Sequence, residues 1–215
     1  MNHQYYDAIR KVYENGVPNC PRKMHVRELY NYIFTLNPPL HPVSTLEGFQ
    51  TNLEYAKKET EWYRSGSNKI ADMGKFAHIW EKYSDDGIHC NSAYGQYIFP
   101  YQWNWVVAKF KEDSNTRQAI ININQPMHKE NPTKDFPCCI CMNFYINEYG
   151  LNLTTVFRSQ DVNTGLRNDI YTMIMLQQDM ANQLKLDIGV YTNISLNLHI
   201  YEKDYKKAER LLYGS

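Results

Sequence analysis

Cys139-Ile140-Cys141-Met142-Asn143-Phe144-Tyr145-Ile146, then Asn147-Glu148-Tyr149-Gly150, then Leu151-Asn152-Leu153-Thr154-Thr155-Val156-Phe157-Arg158 follow one another along the chain. Two β-rich runs joined by a short segment ending in glycine predict a hairpin. Beyond it, Ile170, Met173, Ile174, Met180, Ala181 and Leu184 recur at helical spacing between Asp169 and Leu184 with few charges between them, which predicts a largely buried helix. Ile194, Leu196, Leu198 and Ile200 then alternate with Ser195, Asn197, His199 and Tyr201. That period of two predicts a half-buried strand whose polar face carries His199 and Tyr201 together. Gln118 to Ile123 is strand-like. Upstream, three helices are expected: Tyr5 to Tyr13, stopped by Asn15-Gly16; Leu46 to Tyr63, ended by Ser65-Gly66-Ser67; and Asn104 to Glu112. The proline-rich Asn37-Pro38-Pro39-Leu40-His41-Pro42 reads as an extended loop. Helices mixed with antiparallel-looking strands predict an α+β domain.

The chain has 215 residues, 43% of them apolar, enough for one domain with a real core. Its 23 basic and 23 acidic residues balance, so no whole-molecule field recruits nucleic acid or an anionic membrane, and any anion site is local. No 18-residue apolar window occurs, and the opening Met-Asn-His-Gln-Tyr-Tyr-Asp lacks the layout of a secretion signal. A cytoplasmic protein with no membrane contact and no direct DNA binding is expected. Five cysteines are an odd number, and Cys138, Cys139 and Cys141 crowd too closely on one strand to bridge each other. They also lack a second ligand pair for zinc, so neither a disulfide scaffold nor a metal is expected.

Cys138 follows Phe136-Pro137, where a loop enters a strand. Taken alone, such a cysteine is more often a small buried hydrophobe than a nucleophile. Its neighbours change that balance: Arg158-Ser159-Gln160-Asp161 ends the hairpin, and Gly165-Leu166-Arg167-Asn168-Asp169 opens the buried helix. This set resembles the thymidylate synthase family, in which a Pro-Cys pair starts one strand, Arg-Ser-x-Asp ends the next, and Gly-Leu-x-x-Asn enters the central helix. His199-Ile200-Tyr201 is similar to the family's His-x-Tyr pair. Glu59-Thr60-Glu61-Trp62-Tyr63 with Gly66-Ser67-Asn68, Ile79-Trp80-Glu81, Tyr94-Gly95 and Thr116-Arg117 continue the likeness, in order, over residues 5 to 202.

The resemblance implies a thymidylate synthase-like fold, a mixed or antiparallel sheet packed by helices, with a homodimer formed through the sheet. Residues 1–215 would form a single catalytic domain. It also implies a mechanism. Attack of a thiolate on C6 of a pyrimidine nucleotide turns C5 into an enol-like carbon nucleophile, and Cys138 would supply that thiolate. Arg158 would bind the nucleotide phosphate and lower the thiol pKa, with Arg22 and the partner subunit's Arg117 reaching the same phosphate. His199 and Tyr201 would hold the sugar hydroxyl and Ser159 would join the nucleotide site. Glu59 would organise water for proton transfer, and Tyr94 would assist loss of the C5 proton. Asp161 would serve both catalysis and the co-substrate 5,10-methylenetetrahydrofolate, beside Trp80 and Gly165.

Four departures from the family pattern sharpen the expectation. Asp169 stands where synthases have Asn, whose amide answers O4 and the N3 proton of uracil. A carboxyl group sharing a proton with N3 answers cytosine instead, whereas a carboxylate against O4 of uracil would cost on the order of 1 to 3 kcal/mol. The other reading of Asp169 is a helix N-cap, favoured near any helix start. Cys139 stands where synthases usually have His, and Gln118 replaces a second interface arginine, which shifts phosphate binding onto Arg158 and Arg117. The chain ends 14 residues after Tyr201, where typical synthases continue into a lid over folate. Without a lid, water is the expected acceptor. The expected activity is folate-dependent C5 hydroxymethylation of a cytidine monophosphate, deoxycytidylate first, as in the family's deoxycytidylate hydroxymethylase branch. That branch serves phage DNA modification, which points to a viral source and host cytoplasm. The alternatives are a C5 methyltransferase on deoxycytidylate or deoxyuridylate, and a non-catalytic nucleotide- or RNA-binding relative.

Overall fold

A computed structural model of the chain describes residues 1–38, 40–129 and 133–214. Along it run α1 (Asn2–Asn15), β1 (Val17–Asn19), β2 (Val26–Leu36), α2 (Leu53–Arg64), α3 (Ala77–Glu81), α4 (Gly95–Tyr97) and α5 (Trp103–Glu112). They are followed by β3 (Ile120–Asn122), β4 (Cys139–Asn147), β5 (Gly150–Phe157), β6 (Gln160–Asp161), α6 (Leu166–Leu184), β7 (Ile188–Tyr201) and α7 (Tyr205–Tyr213). Each predicted helix and strand has a counterpart here, within an α+β fold. The proline-rich segment is irregular, and its Pro39 lies outside the described residues.

The sheet runs in the order β1-β2-β7-β5-β4-β3, with β6 also pairing β7. The β4–β5 hairpin is antiparallel, Asn147 opposite Gly150, while β5 and β7 are parallel. A parallel pair needs a crossover, and α6 supplies it. This helix is apolar over most of its surface, with Ile170, Met173, Met180 and Ala181 fully enclosed. Its buried Gln177 donates to the carbonyls of Leu151 (2.8 Å), Val190 (3.2 Å) and Gly189 (3.3 Å), fastening the helix across β5 and β7.

Three expectations change. The second helix starts at Leu53 rather than Leu46. Residues 46–52 instead form a turn, with Gly48 at φ +74 and the Thr51 N–H on the Ser44 carbonyl (3.0 Å), and Asn52 caps the helix by accepting from the Tyr55 N–H (3.2 Å). Apolar Leu46 and Phe49 continue the helical period into a segment whose backbone is already committed to turns. Second, β2 was not foreseen, although it pairs with β7 from Val26↔Tyr201 to Leu36↔Tyr191. Third, the faces of β7 divide differently. Leu198 and Ile200 are buried as expected, but Asn193 and Ser195 on the polar face are fully enclosed, and Leu196 is 38% exposed. The enclosed face packs against α1 and α6, while the face around Ile33 (56% exposed), its cross-strand partner Ile194 and Leu196 has no layer over it among the described residues.

Candidate active site

Cys138 precedes β4, and the Arg158 N–H donates to its carbonyl (2.9 Å), closing the open end of the hairpin. The ladder therefore sets the two side chains next to each other, with Arg158 Nη2 3.6 Å from Cys138 Sγ. The guanidinium is held by the carbonyls of Phe136 (2.6 Å) and Pro137 (3.0 Å), and it lies over the Phe136 ring at 5.1 Å. Arg158 does favour the thiolate, as the sequence reading supposed, but burial outweighs it and the thiol sits above its ordinary range. Arg22 adds a second positive charge felt at Cys138 and also faces the Tyr201 phenol. Ser159 Oγ, just before β6, lies 3.4 Å from Nδ1 of His199, and Asp161 on β6 pairs in register with His199, so both are set against the last strand. The rings of His199 and Tyr201 meet edge to face at 5.1 Å on one side of β7, as the alternation predicted.

Deeper in, Glu59 projects from α2 and is 5% exposed. Its carboxyl accepts from the Tyr55 hydroxyl (2.8 Å), one turn earlier on the same helix, and from Thr172 Oγ1 of α6 (3.3 Å). Burial, with help from the nearby Asp169 carboxyl, pushes the Glu59 pKa up to about 8, so the group is protonated at neutral pH. Asp169 lies in the first turn of α6. Its side chain bonds no helix N–H; its Oδ2 accepts from Gln160 Nε2 (2.9 Å) instead, so the N-cap reading does not describe it. Burial pushes its pKa up to about 7. The Tyr94 hydroxyl accepts from the Cys139 N–H (3.2 Å), one residue from the thiol. Gly95 permits that approach, because a Cβ there would stand 2.0 Å from the Tyr63 carbonyl oxygen.

Asp161 accepts from the Asn163 N–H (3.0 Å) and the Thr164 N–H (3.2 Å), and Gly165 donates back to its carbonyl (3.1 Å). An ideal Cβ on Gly165 would lie 3.5 Å from Asp169 Oδ2, so this turn borders the Asp169 carboxyl. Two and three residues further on, Arg167 Nε and Asn168 Oδ1 are buried with no partner among the described residues, leaving a donor and an acceptor beside the turn. Trp80 stacks edge-on against Trp62 at 5.2 Å and faces the Tyr55 hydroxyl that serves Glu59.

Of the residues singled out from sequence, only Arg117 stands apart: it is exposed ahead of β3 and bonds none of the others. Sequence reasoning missed Tyr55, Thr172 and Gln160. Tyr55 lies four residues before Glu59 and Thr172 three after Asp169, spacings that put each pair on one helix face, so that signal was present. A surface groove of about 350 Å³ between α2 and the 70–76 segment, lined by Lys57, Lys58 and Lys75 among others, shares no residue with this site. Among the described residues no cluster of three or more His, Cys, Asp or Glu is placed to hold a metal ion, and no helix is long and apolar enough to cross a membrane.

Comparison with known proteins places these observations. The chain is 27% identical to a deoxyuridylate hydroxymethyltransferase of Bacillus phage SP01, over 94% of this chain and 57% of that protein. It is 26% identical to the deoxycytidylate 5-hydroxymethyltransferase of Enterobacteria phage T4, over 72% of this chain and 69% of that one. It thus spans little more than half the length of the SP01 relative. Its fold superposes on thermostable thymidylate synthase A from Bacillus subtilis with a TM-score of 0.85, covering 99% of this chain and 84% of that one at 18% identity. The thymidylate synthase family model matches residues 3–213, and the chain belongs to that family.

Proposed function

We propose that the protein hydroxymethylates C5 of a cytidine monophosphate, deoxycytidylate first, through a Cys138 adduct at C6. The observation that carries this reading is Asp169: a carboxyl whose pKa is pushed up to about 7, where the family pattern has an amide, close enough to Cys138 and Glu59 to act on both. In its protonated form it offers an acceptor to the cytosine amino group and a donor to N3. Arg158 and Arg22 bind the phosphate, joined by an Arg117 from a second copy, and His199, Tyr201 and Ser159 meet the sugar. Dianionic phosphate between the arginines is part of the bound state, so the thiolate forms against burial only where the guanidinium of Arg158 stays beside the sulfur.

5,10-Methylenetetrahydrofolate would supply the one-carbon unit at the methylene oxidation level. The unpaired donor and acceptor at Arg167 and Asn168 suit a polar ring beside Asp161 and Gly165, with Trp80 as the apolar wall. Glu59, neutral at physiological pH, holds a proton next to Tyr55 and Thr172 and orders water there. The Tyr94 oxygen, already an acceptor from the Cys139 N–H, is placed to assist removal of the C5 proton. The apolar sheet face at Ile33, Ile194 and Leu196 is where the second copy docks.

A second reading is the same chemistry on deoxyuridylate, favoured by the SP01 relative and its coverage of 94% of this chain. One experiment separates them. The protein is incubated with methylenetetrahydrofolate and each of four nucleotides, the cytidine and uridine monophosphates in ribo and deoxy form, and the products are weighed. A gain of a hydroxymethyl group on deoxycytidylate is expected; a methyl group, or product from deoxyuridylate only, would replace the reading. Asp169→Asn should lower the cytidylate-to-uridylate ratio of kcat/KM by at least about a hundredfold.

A further inference from the structure

The half-buried Asp169 carboxyl ends a line of enclosed polar side chains that crosses the sheet. Gln160, 2% exposed on β6, donates from Nε2 to Asp169 Oδ2 (2.9 Å). Its own Oε1 accepts from Asn193 Nδ2 (2.9 Å) and from Ser195 Oγ (2.5 Å), both on β7. Asn193 Nδ2 also donates to Ser195 Oγ (3.0 Å), so the serine proton is directed to Gln160. Tyr191 continues the line, donating to Asn193 Oδ1 (3.3 Å) and sharing a hydrogen bond with Thr155 Oγ1 of β5 (2.9 Å). Thr155, Tyr191, Asn193 and Ser195 are fully enclosed.

Such a line has a direction. With Asn193 held as it stands, turning the Gln160 amide over would set its NH2 against that of Asn193 and its oxygen against the carboxylate, leaving donor facing donor and acceptor facing acceptor beside enclosed side chains. In this arrangement Oδ2 of Asp169 meets a donor, and it meets it as an acceptor. A carboxylic acid that carries its proton on an oxygen already accepting a hydrogen bond weakens that bond, so the acid form keeps its proton on Oδ1. This matters because a free carboxylic acid is ambiguous. With its proton on either oxygen it presents donor and acceptor in either order, and matches the edges of cytosine and uracil equally.

We infer that Gln160 is the positioning residue that fixes the proton of Asp169 on Oδ1, and thereby fixes which pyrimidine edge the pocket accepts. The inference deepens the proposed function and rests on it for the identity of the ligand. No other side chain performs this: the groups that face Asp169 are Glu59, Tyr55 and Tyr63 from α2, Tyr94 ahead of α4, Cys138 and Cys139 at β4, Asp161 on β6 and Tyr191 on β7. None is a cation, and among the described residues Gln160 alone hydrogen-bonds the Asp169 side chain.

The test uses Gln160→Met, which keeps the length and removes the amide, and Ser195→Ala, which loosens the amide from behind. Two quantities are read. The first is the cytidylate-to-uridylate ratio of kcat/KM, which a merely structural role would leave alone because lost folding lowers both substrates together. It is expected to move toward one, at least about tenfold in Gln160→Met and less in Ser195→Ala. The second is the titration of Asp169 in the nucleotide-free protein, read from its carboxyl infrared band against Asp169→Asn. Loss of a donor to the charged form should raise it by about one pH unit. An unchanged ratio with an unchanged titration in folded Gln160→Met overturns the inference; if that variant does not fold, the same pair of results in Ser195→Ala does so. A titration that shifts in a protein acting on neither nucleotide leaves the hydrogen-bond line standing and removes the proposed function instead.

Discussion

Glu59 is the residue on which protonation and stability meet. Its carboxyl binds a proton in the folded protein up to about pH 8, whereas its ordinary pKa is 4.5. Between those values the folded state holds a proton that the unfolded chain has released. The stability it contributes is therefore full below about pH 4.5 and is lost as pH rises through about 8. Glu59→Gln carries no titrating group, so its melting temperature should gain on the parent as pH is raised from about 5 to about 8.5. The difference in stability should reach on the order of 2 to 4 kcal/mol. A gap between the two proteins that stays constant over this range would mean that Glu59 is ionised throughout. Turnover should fall in the same variant at every pH, since an amide holds no proton to move. At this scale the sequence was informative where residue types formed an ordered set, as for Cys138, Arg158, Asp161 and Glu59. It was silent on Gln160, because a glutamine in a strand acquires its role from Asn193 and Ser195, more than thirty positions away, and nothing local marks that meeting.

Among the elements, α2 matters most for the site, since Glu59 and Tyr55 share one of its faces. Asn52 caps it, and removing the cap leaves a helix N–H without its acceptor. Asn52→Ala should cost about 1 kcal/mol, seen as a lower urea midpoint with an unchanged m-value. An unmoved midpoint would show that water serves the Tyr55 N–H equally well. The beginning of α2 was misplaced from sequence because hydrophobic period alone extends through Leu46 and Phe49; the left-handed Gly48 and the capping asparagine were the better guides. The strand β2 was legible in principle, with Tyr32, Phe34 and Leu36 buried in alternation. Asn31, at φ +56, breaks that alternation before it reaches Tyr30. The hairpin, α6 and α5 were found readily, as each combines an unbroken period with clear stop signals.

For the whole molecule, the question is how many copies make one site. Arg117 is exposed and distant in bonding terms from Cys138, while a sheet face bearing Ile33 and Leu196 lies open. If a second copy covers that face, subunits inactivated separately should complement each other. Mixing Cys138→Ala with Arg117→Ala subunits should restore up to about a quarter of parental activity, since random pairing makes half the dimers mixed and one of their two sites intact. Labelled subunits that exchange without any recovery would sink the shared-site arrangement. The alternation alone did not reveal this face, because Leu196 and Leu198 look alike in a period of two, whereas burial along β7 shifts phase between Ser195 and Leu198. Only the layer packed over each distinguishes them.

The longest ladder of the sheet, β2 with β7, joins a strand near the beginning of the chain to the last strand, Val26 to Tyr201 and Leu36 to Tyr191. During synthesis the edge of β2 that faces β7 must therefore wait unpaired until every other strand has left the ribosome. Ser159, just before β6, and His199 and Tyr201 at the end of β7 come together in that same closing step. Loop closure across so much chain is slow. Until that closing step is complete, the edge-to-face pair of His199 and Tyr201 has no partner strand to hold it, so this end of the candidate site is the last part of the molecule to form.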